Sequence, residues 1–245
     1  MDIVNSRATE ATLKAKFLEF LLSDGKITRR SLVSNEYQVH GATRRADLAI
    51  LERGRFVGVE IKSEFDSLSR LQGQTAAYLQ VFDDVYVLVA EKHRASAAKM
   101  LCAAVSLYSI SDAGFITEVR GRQSLDRPDE ETRKSAILHA LPKTTLQRLA
   151  MRFDGRHSRR ELMEVLRGHP LDELRSALLA EFKQRYSATS KSFWALVSRR
   201  RTVAASYLPV LSRFASTRKR ANDHSEEQKS RWELWLSRRQ SAHPS

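Results

Sequence analysis

Asp47 and the run Glu60-Ile61-Lys62 are the residues of this chain whose types and spacing could do chemistry. Two carboxylates and an ammonium brought to one point are what phosphodiester hydrolysis asks for. A hard divalent cation such as Mg²⁺ takes oxygen ligands and keeps several waters, so one or two carboxylates suffice to hold it. The ion acidifies a bound water and polarises a phosphoryl oxygen. A lysine alongside can orient that water or stabilise the charge that develops. Glu-x-Lys alone is a weak pattern, because the same spacing makes the solvated face of any amphipathic strand. Context adds weight: Asp47 interrupts the otherwise apolar run Ala46-Asp47-Leu48-Ala49-Ile50-Leu51, where an unpaired charge is costly.

The elements that must position these residues can be read around them. Arg55-Phe56-Val57-Gly58-Val59-Glu60-Ile61-Lys62 is rich in β-formers. Glu52-Arg53-Gly54-Arg55 between the two runs is a turn signal, so the pair should be an antiparallel hairpin. Side chains alternate along a strand, which puts Glu60 and Lys62 on one face and Ile61 on the other. The Ile61 carbonyl could add an oxygen ligand. Gly58 leaves room for another group to approach closely. Downstream, residues 66–80 should form a crossover helix with Asp66 or Ser67 as N-cap. Leu68, Leu71, Thr75, Tyr78 and Leu79 should face the sheet. Gln74 falls on that helix, and core packing is favoured for Tyr78. Glu36 lies on the first strand, available as a further carboxylate or as a partner of Arg45. Glu10 and Glu19 lie on an N-terminal helix over residues 7–22.

Taken together, Glu36, Gly41, Arg44, Arg45-Ala46-Asp47, Glu60-Ile61-Lys62-Ser63, Asp66-Ser67-Leu68, Arg70-Leu71, Gln74 and Tyr78 resemble the core of the PD-(D/E)xK nuclease superfamily. Within it they are similar to a group of poorly characterised bacterial and phage proteins. The match covers about residues 7 to 120 and departs in lacking Pro before the first acid. The resemblance implies that Asp47 and Glu60, with the Ile61 carbonyl, hold Mg²⁺ or Mn²⁺, and that Lys62 assists the attacking water. Gln74 and Glu36 support the site. It implies DNA as substrate, with RNA not excluded, and it leaves a homodimer open. Phage or bacterial recombination, repair or defence is the expected setting. A catalytically silent nucleic-acid-binding adaptor or regulator on the same fold is the alternative.

Other chemistries lack support. The histidines show no zinc spacing, no nucleotide-binding glycine pattern occurs, and no G-x-S-x-G elbow is present. The single cysteine, Cys102, sits in an Ala-rich stretch expected to be helical, and should be a buried thiol. No apolar run is long enough for a membrane span, and no signal pattern opens the chain. One cysteine also agrees with a reducing compartment, so the expected location is cytoplasmic.

The net charge of +13 is unevenly spread. Residues 1–140 carry 20 Lys+Arg against 19 Asp+Glu, whereas residues 141–245 carry 22 against 10. The resemblance implies a PD-(D/E)xK-type α/β domain over 1–122, with a mixed central sheet flanked by helices, and the charge step points to an all-helical basic region over 123–245. Candidate phosphate contacts are Arg44, Arg45 and Arg70 near the site, and the clusters Arg199-Arg200-Arg201 and Arg218-Lys219-Arg220. Helices are expected over residues 94–104, 144–151, 158–167, 171–186, 190–214 and 225–239. Trp232 and Trp235 should dock the last of them.

Overall fold

The structure is a computed structural model that describes residues 9–38, 45–124, 126–152 and 156–212. Helix α1 (Glu10–Ser23) starts at Thr9, whose hydroxyl accepts the Thr12 N–H, a favoured N-cap arrangement. An antiparallel meander follows: β1 (Leu32–Gln38), β2 (Arg45–Glu52) and β3 (Arg55–Lys62). Helix α2 (Leu71–Val81) crosses to β4 (Asp84–Ala90). Helix α3 (Arg94–Met100) leads to β5 (Val105–Ile110), and β6 (Ile116–Arg120) closes the sheet. The order is β1-β2-β3-β4-β5-β6, parallel only between β3 and β4 and between β4 and β5. The β2–β3 turn is Arg53-Gly54, both at positive φ, as a two-residue hairpin whose twist matches its strands requires.

Both faces of the sheet are covered, and the alternation of β3 shows how. Val57, Val59 and Ile61 pack with Leu13, Phe17 and Leu18 of α1. Phe56 packs on the opposite side with Tyr78 and Leu79 of α2. Gly58 is required there: a Cβ would stand 2.5 Å from the Phe82 ring. The close approach expected at this glycine is thus made by an aromatic side chain.

Beyond residue 122 come α4 (Glu130–Ala140), α5 (Lys143–Leu149), α6 (Arg159–Leu166) and α7 (Leu171–Arg200), then a 3-10 segment, Ala205–Leu211. Ser158 and Glu161 form the expected capping box at α6. Buried residues of α4, α6 and α7 share one apolar cluster with the sheet and α2. Farther along α7, Phe193, Trp194 and Val197 join the α1 cluster on the other face. Helix α7 therefore wraps the open edge of the sheet. There the Ser190 hydroxyl donates to the Val33 carbonyl and accepts the Val33 N–H. Trp194 Nε1 donates to the Ser31 carbonyl at 2.7 Å. An unpaired edge invites pairing with another chain, and covering it removes that hazard.

Three expectations are corrected. Residues 171–186 and 190–214 do not form two helices. One helix runs through to Arg200, because no Gly or Pro interrupts it and its apolar stripe continues through Phe193 and Val197. Cys102 is exposed rather than buried, since α3 ends at Met100 and Leu101 is already extended. Helix α2 begins at Leu71 with Arg70 as N-cap. Asp66 instead closes the preceding loop, its carboxylate accepting the Ser63 N–H at 2.8 Å and the Ser63 hydroxyl at 2.6 Å. Gly41, Arg44, Arg218, Lys219, Arg220, the expected helix over 225–239 and both Trp232 and Trp235 lie outside the described residues.

Candidate functional site

The β2–β3 register pairs Leu48 with Val59, so Asp47 and Glu60 come next to each other at the end of the hairpin. The ladder opens at that point. Asp47 turns its own carboxylate inward, and Oδ2 accepts the Ile61 backbone N–H at 2.7 Å. On β1 the pairing Asn35↔Leu48 resumes at Tyr37↔Ala46 and skips Glu36. Glu36 has φ +58°, a conformation that costs a non-glycine residue energy and tends to concentrate at functional sites. The carboxylates of Glu36 and Asp47 are both held by one lysine.

Glu60 and Lys62 do not form a solvated face: they are 2% and 7% exposed. Glu60 is held at every turn. Its Oε1 accepts from Lys62 Nζ at 2.7 Å and from Gln74 Nε2 at 2.6 Å. The Tyr78 hydroxyl lies 2.7 Å from Glu60 Oε2 and 2.7 Å from the Arg45 carbonyl. Gln74 and Tyr78 stand four residues apart on α2, on one helical face, which is why both reach the same carboxylate. Tyr78 packs its ring edge-on against Phe82, as expected of a core residue, and also serves Glu60 through its hydroxyl. Gln74 Oε1 is buried with no partner.

Lys14 of α1 is the residue that the sequence reading missed. It is 2% exposed, and its ammonium lies 2.6 Å from Glu10, 3.3 Å from Glu36 and 3.7 Å from Asp47 Oδ1. Burial pulls its pKa down, but the three carboxylates outweigh burial and hold it above the ordinary lysine value. A signal for it existed. Lys14 falls at the i position of an apolar stripe, Lys14, Phe17, Leu18 and Leu21, where a solvated lysine does not belong.

The charges are not balanced around Asp47. Burial and then the Glu60 carboxylate push its pKa up to about 7, against the opposing pull of Lys14 and the Ile61 N–H. Two carboxylates thus crowd one another in a partly buried place, the condition that favours a bound cation.

The other expected residues divide. Arg45 pairs with Glu36 at 2.8 Å, one of the two roles open to Glu36. Arg70 is exposed at the start of α2, and Arg199, Arg200 and Arg201 are exposed at the end of α7. Glu19 is not in the site: its carboxylate accepts from the Thr202 hydroxyl and the Val203 N–H, and so ties α1 to the segment after α7. Glu10 is at the site's rim through Lys14. Among the described residues, no three His, Cys, Asp or Glu side chains cluster as a metal site. A metal would rest on two carboxylates and neutral oxygens.

Comparison with known proteins places the chain among phage proteins. A family profile described as Bacteriophage P4 protein cII matches residues 4–212. Protein cII of Enterobacteria phage P4 is 28% identical over 208 residues, covering 83% of this chain and 78% of the relative. Among solved structures, a protein of unknown function from Silicibacter pomeroyi aligns over 64% of this chain and 98% of its own, at 20% identity and a TM-score of 0.32. No helix among the described residues is long and apolar enough to cross a membrane.

Proposed function

The chain belongs to the bacteriophage P4 protein cII family, and from the geometry of its carboxylate–lysine site we propose that it is a metal-dependent DNA endonuclease of the PD-(D/E)xK type. The observation that carries this reading is the burial of Glu60 and Lys62 in contact with each other beside Asp47. Charges withdrawn from water in this way cost several kcal/mol unless compensated, on the order of magnitude known for buried ions. A purely structural strand has no need of them. The mixed sheet supports the reading too, because it brings the three residues to the carboxyl end of β3, where α/β sheets place their sites.

The residues fit a hard divalent cation. Every available donor is an oxygen: the Asp47 and Glu60 carboxylates, the Ile61 carbonyl and the orphaned Gln74 Oε1. Burial first, and then the neighbouring Glu60 carboxylate, raises the pKa of Asp47, so a cation between the two would relieve both. Mg²⁺ or Mn²⁺ held by Asp47 and Glu60 would supply an acidified water and charge neutralisation at the scissile phosphate. The chain's own residues do the rest. Lys62 moves from Glu60 to the water or the phosphate, where its ammonium meets developing negative charge. Gln74 and Tyr78 keep Glu60 oriented when Lys62 leaves it. Lys14, with Glu36 and Glu10, fixes Asp47 from the other side. Arg45 and Arg70, exposed beside the site, are the proposed contacts to backbone phosphates, whereas Arg199, Arg200 and Arg201 lie toward the Ser31 end of β1, away from the site.

One observation favours the alternative, a silent nucleic-acid-binding adaptor. Both Glu60 oxygens already have protein donors, so the network closes without a metal. Incubation of the purified chain with plasmid, single-stranded and branched DNA and Mg²⁺ or Mn²⁺ separates the two. Cleavage lost in Asp47→Ala, Glu60→Ala and Lys62→Ala, with DNA binding kept, supports the nuclease. Tight binding without cleavage on every substrate, or cleavage that survives all three changes, overturns it.

A further inference from the structure

Glu52 ends β2 with a largely buried carboxylate. It accepts from the Thr28 hydroxyl at 3.1 Å, from the Ser31 hydroxyl and from Arg53 Nε at 3.3 Å. The Thr28 hydroxyl in turn accepts the Arg30 N–H at 3.2 Å. These bonds pin the loop between α1 and β1 to the β2–β3 turn. Loop and turn enclose an open groove of about 710 Å³, within the size range of ligand sites. Ile27 and Leu51, both buried, supply apolar lining, while Arg29, Arg30 and Arg53 line the groove with charge.

Those three guanidiniums face one carboxylate that is already engaged. Arg53 keeps 79% of its side chain exposed despite its bond to Glu52. Arg29 and Arg30 are exposed, and their side chains make no hydrogen bond or ion pair among the described residues. A second group of arginines reaches the same end of the sheet. Ser190 bonds Val33 and Trp194 bonds the Ser31 carbonyl, so α7 runs along β1 toward Arg30. Arg199 and Arg200 follow within about 8–9 Å of helix beyond Trp194, and Arg201 caps the helix. All three are exposed. The chain then returns to α1, where the Val203 N–H donates to Glu19, one turn before Leu22 at the groove. Nearby, Asp24 and Glu118 share Lys26. Six arginines and Lys26 thus stand against four acids, Glu19, Asp24, Glu52 and Glu118.

We propose that Arg29, Arg30 and Arg53, with Arg199, Arg200 and Arg201, form a second nucleic-acid-binding surface that grips the phosphate backbone. Planar guanidinium forks match phosphate oxygens, and neutralising a polyanion releases its counterions. The charges come from three separate elements, the loop, the turn and the end of α7. Successive phosphates along a strand can meet such a spread, whereas a single small anion cannot. Glu52 lies five residues along β2 from Asp47, about 17 Å away, so this surface is distinct from the carboxylate site. It rests on nucleic acid as the partner in the proposed function, not on hydrolysis, and it serves a nuclease and a silent adaptor alike.

The test uses the full chain in a chelator, so that cleavage plays no part. Binding of a fluorescent duplex oligonucleotide is followed by anisotropy across a salt series. Arg29→Gln with Arg30→Gln should weaken binding at least about tenfold at low salt and lower the salt slope by about two contacts. Arg199→Gln with Arg200→Gln should do the same. None of these side chains has a partner to lose, so both double variants should melt as the parent does. Arg160→Gln with Arg167→Gln removes equal charge from exposed positions on α6 and should change binding little. Unchanged duplex binding in the Arg29–Arg30 variant overturns the proposal, as does an equal loss in the α6 variant. Loss of poly-glutamate binding with duplex binding kept also overturns it, in favour of an acidic protein partner. Failure here leaves the cleavage test of Asp47, Glu60 and Lys62 standing, and absence of cleavage leaves this result standing.

Discussion

Replacing Asp47 with Asn should stabilise the metal-free protein above neutral pH while abolishing its proposed metal site. The sign follows from where Asp47 titrates. Its pKa in the fold is about 7, against an ordinary value of 3.8. A carboxylate whose folded pKa is raised binds its proton more tightly in the fold than in the unfolded chain, so stability falls as pH rises between those two values. The cause is burial first and Glu60 second. The gap corresponds to about 4 kcal/mol of cost at high pH. Asn keeps an oxygen to accept the Ile61 N–H, and the attraction of Lys14 at 3.7 Å that it gives up is already counted in the raised value. A stabilisation of about 4 kcal/mol is therefore expected near pH 8, with little change near pH 4. Urea denaturation of both proteins in a chelator, at each pH, measures it. Adding Mg²⁺ should then stabilise the parent and leave Asp47→Asn unmoved, because a ligand that binds the fold raises its stability by mass action. If Asp47→Asn is destabilised in chelator near pH 8, Asp47 is held by Lys14 more strongly than it is repelled by Glu60. The picture of crowded carboxylates would then fail.

Three further perturbations test the surroundings. Lys14→Met should cost about 3 kcal/mol, the range for breaking a buried charge pair, and a denaturation cycle with Asp47→Asn should show strong coupling between the two. Gly58→Ala places a Cβ 2.5 Å from Phe82 and should destabilise by about 1–3 kcal/mol through overpacking. Partial rescue by Phe82→Leu in thermal melts would confirm the contact. Ser190→Ala leaves Val33 without its side-chain partners, at a cost of about 1–3 kcal/mol. Hydrogen exchange should then speed up first at β1.

Strands were legible where the alternation of side chains is unambiguous. The apolar run Asp84–Ala90 is observed with those bounds, and the hairpin turn fell at Arg53-Gly54, where the glycine sits at positive φ. The pairing of Asp47 with Glu60 was legible because one turn determines the register of a hairpin. Burial of the pair was not, because it depends on α2 and α1 closing over both faces, contacts that are distant in sequence. Lys14 was missed for that reason: next to Glu10 it reads as an ordinary pair four residues apart on a helix. Glu19 stands on the same helix, yet its partners lie more than 180 residues away, and no local spacing reveals them. Cys102 was misjudged because Ala-rich sequence prolongs a helical reading past the residue where the chain turns extended.

The proposed nuclease site depends on Asp47 and Glu60 holding a divalent cation between them. The most direct measurement is a crystal structure of the full chain soaked with Mn²⁺, read by anomalous scattering. One ion is expected within roughly 2.0–2.3 Å of an oxygen from each carboxylate, with the Lys62 ammonium withdrawn from Glu60. An ion bound elsewhere, or Lys62 and Tyr78 still closed on Glu60 with no ion between the carboxylates at saturating Mn²⁺, would contradict it.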